Sequence, residues 1–213
     1  MKRRTLDIVF SVGGGFVAVL LLVLGLVCQN QATFAKSYVK DQLGQQKITF
    51  TPVAGLAPDE KQAPCLIANA GKPLTTGKQA ECYANEYIGR HVKEINKGLT
   101  YSQTSAEARA IQAKADAAAP GSAAATALNA KAAAAQGKAD TLFKGETLRG
   151  LLLTSYGFSI FGVRAGQVAL VAFAITIVLA LATLAGMVHA FATKREVLVH
   201  DPFAAPGVTP QPV

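Results

Sequence analysis

The sequence predicts an all-α protein: two transmembrane helices flanking a mainly helical extracytoplasmic domain that carries an Ala-rich helical hairpin. Three observations predict it. Two long apolar runs, residues 8–28 and 165–192, hold no Asp, Glu, Lys or Arg, and His189 is their one histidine. At 1.5 Å per helical residue they extend roughly 31 and 40 Å, enough to cross a bilayer hydrocarbon core, the second with some tilt. The region between them alternates helix-start signals with Gly and Pro breaks. Alanine fills 17 of the 30 positions from 106 to 135, which gives strong helicity and little apolar area.

The N-terminal segment, 1–7, contains Lys2, Arg3 and Arg4 ahead of the first apolar run. That run is longer than a signal-peptide core, and Cys28 lacks the small residue that lipid attachment needs before it. A weak cleavage pattern ends at Ala35, so the run is read as an uncleaved anchor. Lys194 and Arg195 follow the second run, whereas Lys36, Lys40, Arg149 and Arg164 flank the other ends. The positive-inside count narrowly puts both termini in the cytoplasm of a bacterial cell and the domain outside it. Cys65 and Cys82, the two cysteines of that domain, are expected to form a disulfide there, closing a loop worth roughly 3 kcal/mol.

Small residues recur every fourth position in both runs: Ser11, Gly14, Gly15 and Ala18 in the first, then Ala172, Thr176, Ala180 and Ala182, Gly186, Ala190 in the second. Such ridges let helices approach closely in lipid. They point to a membrane-protein partner, a homo-oligomer, or packing of the two spans on each other.

After Cys28 the helix is expected to continue to a stop at Gly44, with Phe34 and Tyr38 as an aromatic anchor near the headgroups. KITFTP alternates Ile48 and Phe50 against polar neighbours, as in a short strand or an extended link that Pro52 ends. Residues 53–73 hold three prolines and read as a loop with at most a short helix near Leu66. Thr76 and Gln79 have capping-box spacing and open a helix that Gly98 ends. Ala84, Ile88, Val92 and Ile95 share one face of it. Tyr83, Tyr87 and His91 form an adjoining stripe, a candidate binding face or the rim of the core.

Thr104 and Glu107 predict a second capping box. Pro120 and Gly121 break that helix, and Ser122 caps the next, with an irregularity expected at Gly137. Leu128, Ala132, Ala135, Ala139 and Leu142 form a narrow seam for a neighbouring helix. The segment 151–164, bracketed by Arg149 and Arg164 and rich in aromatics, reads as an interfacial helix feeding the second span. The tail, 193–213, is Pro-rich and predicts disorder. The domain plan is thus 1–7, 8–28, 29–150 with the hairpin at 106–140, 151–164, 165–192 and 193–213.

Three stretches, KSYVKDQLGQQKITFTP, TTGKQAECYANEYIGRHVKEINKGLTY and TLFKGETLRGLLLTSYGFSIFG, resemble a bacterial family of small two-span membrane proteins of unknown function. Its members often carry the label aromatic ring-opening dioxygenase LigA. The resemblance implies the two-span architecture and brings no catalytic motif with it. The label implies non-haem iron held by two histidines and a carboxylate. The three histidines here argue against it: in the predicted topology a membrane separates His91 from His189 and His200.

HExxH, CxxC, Walker A and GxSxG patterns are absent, and no charge lies mid-span. No catalytic residue, metal ligand or cofactor is assigned. The formal charge of +8 is spread along the chain without interleaved aromatics, which speaks against nucleic acid and for a solvated surface near lipid headgroups. The expected role is a non-enzymatic accessory or scaffold subunit of a membrane or envelope complex. An extracytoplasmic ligand-binding or sensor module is the alternative.

Overall fold

The structure is a computed structural model describing residues 3–192. The expectations for the tail, and for Lys2, Lys194, Arg195 and His200, lie outside these residues. The architecture is all-α: two long apolar helices at the ends of the chain flank a small helical middle region. In order they are α1 (Arg3–Gln45), α2 (Pro64–Asn69), α3 (Gly77–Cys82), a π-helical turn (Tyr83–Ile88), α4 (Gly89–Ile95), α5 (Tyr101–Asp116) and α6 (Ala123–Ala192). The described residues form two compact units, one of residues 3–31 with 165–192, the other of residues 32–164.

In the first unit the apolar stretches of α1 and α6 run antiparallel. Contacting pairs descend on one helix as they rise on the other: Asp7 with His189, Ser11 with Gly186, Gly14 with Thr183, Ala18 with Thr176, Gly25 with Phe173. The inward positions of α6, residues 169, 172, 176, 179, 183, 186 and 190, alternate steps of three and four. That 3.5-residue average is the left-handed knobs-into-holes spacing. Small residues at these positions let the two backbones approach closely, and the Asp7–His189 and Thr176–Ala18 contacts add polar links across the seam. A Cβ added at Gly25 would stand 2.6 Å from the Phe173 ring, so this glycine admits the ring. The outer faces are apolar and exposed, from Phe10 and Phe16 on α1 to Leu170, Val178 and Val188 on α6.

The second unit has a core built on Val39, Leu43, Phe50, Leu66, Leu74, Ile88, Val92, Leu142 and Leu152. Helix α1 ends at Gln45, close to the expected stop at Gly44. The left-handed residue that turns the chain is Lys47 (φ 53°), not a glycine. The expected strand at KITFTP is an isolated antiparallel bridge, Thr49 with Pro73. Phe50 N–H donates to the Lys72 carbonyl at 3.0 Å, and Leu74 N–H donates to that of Ile48 at 2.9 Å. Between these arms lie two 3₁₀ turns, Val53–Gly55 and Glu60–Gln62, and α2 with Pro64 at its first turn.

The Thr76–Gln79 capping box is present and opens α3. The second box is not where Thr104 and Glu107 predict it. Thr100 and Gln103 form it, and α5 starts at Tyr101. The helix expected to run to Gly98 ends at Ile95, and the first left-handed residue after it is Lys97 (φ 55°), followed by Gly98 (φ 83°); the extended Thr100 then caps α5. Thr104 is fully buried, and both its hydroxyl and the Glu107 carboxylate accept from the Asn96 side-chain amide, at 3.1 and 3.2 Å.

Helices α5 and α6 pair as the Ala-rich hairpin. Ser122 caps α6 through the Ala125 N–H at 3.1 Å, the Gln112 amide meets Asn129 at 3.0 Å, and the Tyr101 and Phe143 rings lie 5.4 Å apart. Ala132, Ala135, Ala139 and Leu142 are buried along the seam, opposite Ala108 and Ala115 on α5. The irregularity expected at Gly137 does not occur, because α6 passes through it unbroken and continues through 151–164 without a separate helix. Alanine on both sides of Gly137 supplies the helical propensity that one glycine withdraws.

Candidate functional site

The π-helical turn organises the candidate face. A turn closed by i→i+5 bonds holds more residues than an α turn, so side chains four apart come nearer to eclipsing. The Tyr83 and Tyr87 rings lie 4.8 Å apart, and the edge of His91 meets Tyr87 at 4.6 Å. The buried Phe50 ring packs edge-on against Tyr83 at 5.2 Å, extending the stripe into a four-ring ladder.

Glu60 lies behind this ladder, its side chain 5 % exposed. One carboxylate oxygen accepts from the Ala57 N–H at 2.8 Å. The other has no hydrogen-bond partner and lies 3.4 Å from His91 Nε2. Beside it Arg90 pairs with Glu86 at 2.8 Å and with Asp59 at 3.4 Å. The 53–63 loop is therefore tied to the ring ladder at two carboxylates. Burial pushes the Tyr83 phenol above its ordinary value, and the charges of Tyr87 and Glu60 add to this. The Glu86 hydrogen bond raises Arg90 further above its already high value, and that of Asp59 adds to this.

On the neighbouring face Cys65 and Cys82 form a disulfide (S–S 2.03 Å) that joins α2 to the end of α3. It borders a shallow groove of about 480 Å³ whose walls include Asn69, Lys78, Glu81 and Asn85. Glu81, then Tyr156, holds the exposed Lys78 ammonium above its usual range. Arg149 of α6 reaches Asn85 at 3.3 Å, passing over Gly89, where an added Cβ would touch Arg149 Nε at 3.4 Å and press on the Ala84 carbonyl oxygen at 3.1 Å.

Among the described residues no group of three or more His, Cys, Asp or Glu is placed to hold a metal ion. The chain matches no family model, no curated protein and no solved structure.

The arrangement offers flat aromatic faces with a carboxylate behind them, a chemistry suited to a planar or cationic group. The structure brings Tyr83 against Tyr87 and Tyr87 against His91. Of the residues proposed for helix packing, Ser11, Ala18, Ala172 and Ala190 are buried, and Gly14, Gly15, Thr176 and Gly186 are half-buried on the seam. Ala180 and Ala182 are exposed, and Leu179 and Thr183 take the inward places. A four-residue ridge drifts by about 40° per step on an α-helix. It therefore leaves a seam that repeats every 3.5 residues. Sequence reasoning missed Glu60 and Gly25. Glu60 stands in a loop with no spacing to tie it to His91, whereas the alternation of Ile48 and Phe50 did mark Phe50 as inward-facing.

Proposed function

We propose that the chain is a two-pass membrane protein whose 32–164 unit stands outside the cytoplasm. Its proposed role is that of a non-enzymatic accessory or scaffold subunit of a membrane or envelope complex. The observation that carries this reading is the exposure of the apolar helices. Only 17 % of the most apolar stretch of α1 and 11 % of that of α6 is buried. A core helix of a water-soluble protein hides such side chains, and these would leave a large apolar surface in water. The Cys65–Cys82 disulfide supports an oxidising compartment for the middle region.

An accessory role is supported by the many exposed apolar side chains on the outer faces of both spans. The test is purification in mild detergent followed by mass measurement of the intact particle. A defined assembly larger than one chain supports the reading; a stable monomer that crosses the column alone contradicts it.

The ring ladder favours a second reading, a ligand-binding module. A ligand-dependent thermal shift abolished by Tyr87→Ala and His91→Ala would support this alternative over a purely structural face.

A further inference from the structure

Within the 32–164 unit a second groove, of about 690 Å³, runs between the 34–46 segment and residues 148–158 of α6. We propose that it binds the hydrocarbon chain of a bilayer lipid. This rests on the two-pass reading above and adds a ligand class to it.

Four observations argue for this occupant. The walls are apolar and aromatic, with Phe34, Tyr38, Leu43, Leu148, Leu151 and Phe158 among them, and no Asp, Glu, Lys or Arg lines the groove. An ionic headgroup or a charged peptide would find no partner there.

The hydroxyls at its edge make no polar demand. Thr154 donates to the Gly150 carbonyl at 2.9 Å and Ser155 to that of Leu151 at 3.1 Å, both within their own helix. An extended peptide brings backbone groups that need partners, and a hydrocarbon chain brings none. The remaining polar groups are the Tyr38 hydroxyl and the amides of Gln42 and Gln46, one and two turns along from it.

The third observation is where the groove lies along the chain. Phe34 stands two residues from Ala32 and Phe158 six residues from Arg164, the two points at which the chain enters and leaves this unit. The apolar runs begin beyond both points. The Phe34, Tyr38 and Phe158 rings cluster near these points, Phe158 lying 5.7 Å from Tyr38 and 6.4 Å from Phe34. Such clusters sit at headgroup level in membrane proteins.

The fourth observation is size and access. The volume falls within the roughly 300–1,000 Å³ of ligand pockets. Leu151 and Phe34 are 62 % and 53 % exposed, so the groove is open to an incoming chain. A lipid tail entering it would leave the bilayer for a protein-lined path, which makes lipid handling the business of the site.

The test uses the full-length protein in phospholipid vesicles containing a phosphatidylcholine with a diazirine at its acyl terminus. After illumination, labelled peptides are mapped by mass spectrometry. The proposal expects label on residues 34–46 and 148–158 as well as on the spans. Leu151→Glu should lower the label on 34–46 about tenfold, the loss of one leucine's apolar contact. This readout lies on a segment the substitution does not touch. Leu151→Trp, which fills the groove without charge, should lower it similarly. Labelled spans with an unlabelled groove, or groove label indifferent to both variants, overturns the proposal and leaves the two-pass reading standing. Chain-to-chain adducts in place of lipid adducts at 34–46 overturn it in favour of a second copy. Unlabelled spans would remove the two-pass reading and the proposal together.

Discussion

Glycines along α6 give the same substitution opposite signs. Gly150 and Gly157 have nothing within 4 Å of the position a Cβ would take, whereas at Gly162 that Cβ would lie 2.7 Å from the Ala35 Cβ and 3.5 Å from the Ala32 carbonyl oxygen. In Gly157→Ala the gain is helical propensity alone, about 0.5–1 kcal/mol. In Gly162→Ala the same gain meets a carbon–carbon approach about 1 Å short of contact distance. Ala35 has no side chain to swing aside, so backbone must move, at a cost of about 1–3 kcal/mol. The two variants should differ by about 2 kcal/mol, or roughly 4–8 °C in melting temperature for a chain of this size. Circular dichroism melts in detergent at one scan rate, with the disulfide intact, measure the difference. A Gly162→Ala protein that melts at or above Gly157→Ala refutes the close approach of α6 to residues 32–35.

Replacing Cys65 and Cys82 together by alanine opens a link with a sequence separation of 17 and should lower the stability of the 32–164 unit by about 3 kcal/mol, read as a urea midpoint shift. Thr100→Ala removes the side chain that caps α5 and should cost about 1 kcal/mol in the same assay. Thr126→Ala, at an exposed site whose hydroxyl bonds only back to Ser122 of its own chain turn, should cost far less. The Tyr83 phenol titrates above the ordinary tyrosine value of 10.0 because burial disfavours its anion. The unfolded chain then loses that proton more readily, so this contribution to stability is present below about pH 10 and declines as pH rises through it. Ultraviolet titration should show one late phenol that Tyr83→Phe removes, together with part of the alkaline loss of stability.

Much of the fold was legible because it rests on local signals. The two apolar runs, the Thr76–Gln79 box and the Ser122 cap each depend on a few adjacent residues. The hairpin seam was legible for the same reason, since Ala132, Ala135, Ala139 and Leu142 recur at helical spacing. What was missed depends on residues far apart. Two T-x-x-Q/E patterns stand four residues apart, and only the position of the Gly98 turn selects Thr100 over Thr104. The outward turn of Ala180 and Ala182 follows from the supercoil of α6 on α1, which a four-residue count ignores. The π-helical turn leaves no mark in composition, yet it brings Tyr83 and Tyr87 into contact. Glu60 reaches His91 across 31 positions through a loop with no periodicity.

The central claim is that lipid surrounds residues 8–28 and 165–192 and that the 32–164 unit faces away from the cytoplasm. Labelling of single introduced cysteines by a membrane-impermeant maleimide tests it most directly, in a Cys28→Ala background with Cys65 and Cys82 bridged. Ala119→Cys, exposed beyond the end of α5, should react in intact cells, and Thr5→Cys, exposed near the start of α1, only after permeabilisation. Reaction of Thr5→Cys but not Ala119→Cys in intact cells would invert the topology, and a protein recovered in the soluble fraction without detergent would contradict the membrane assignment itself.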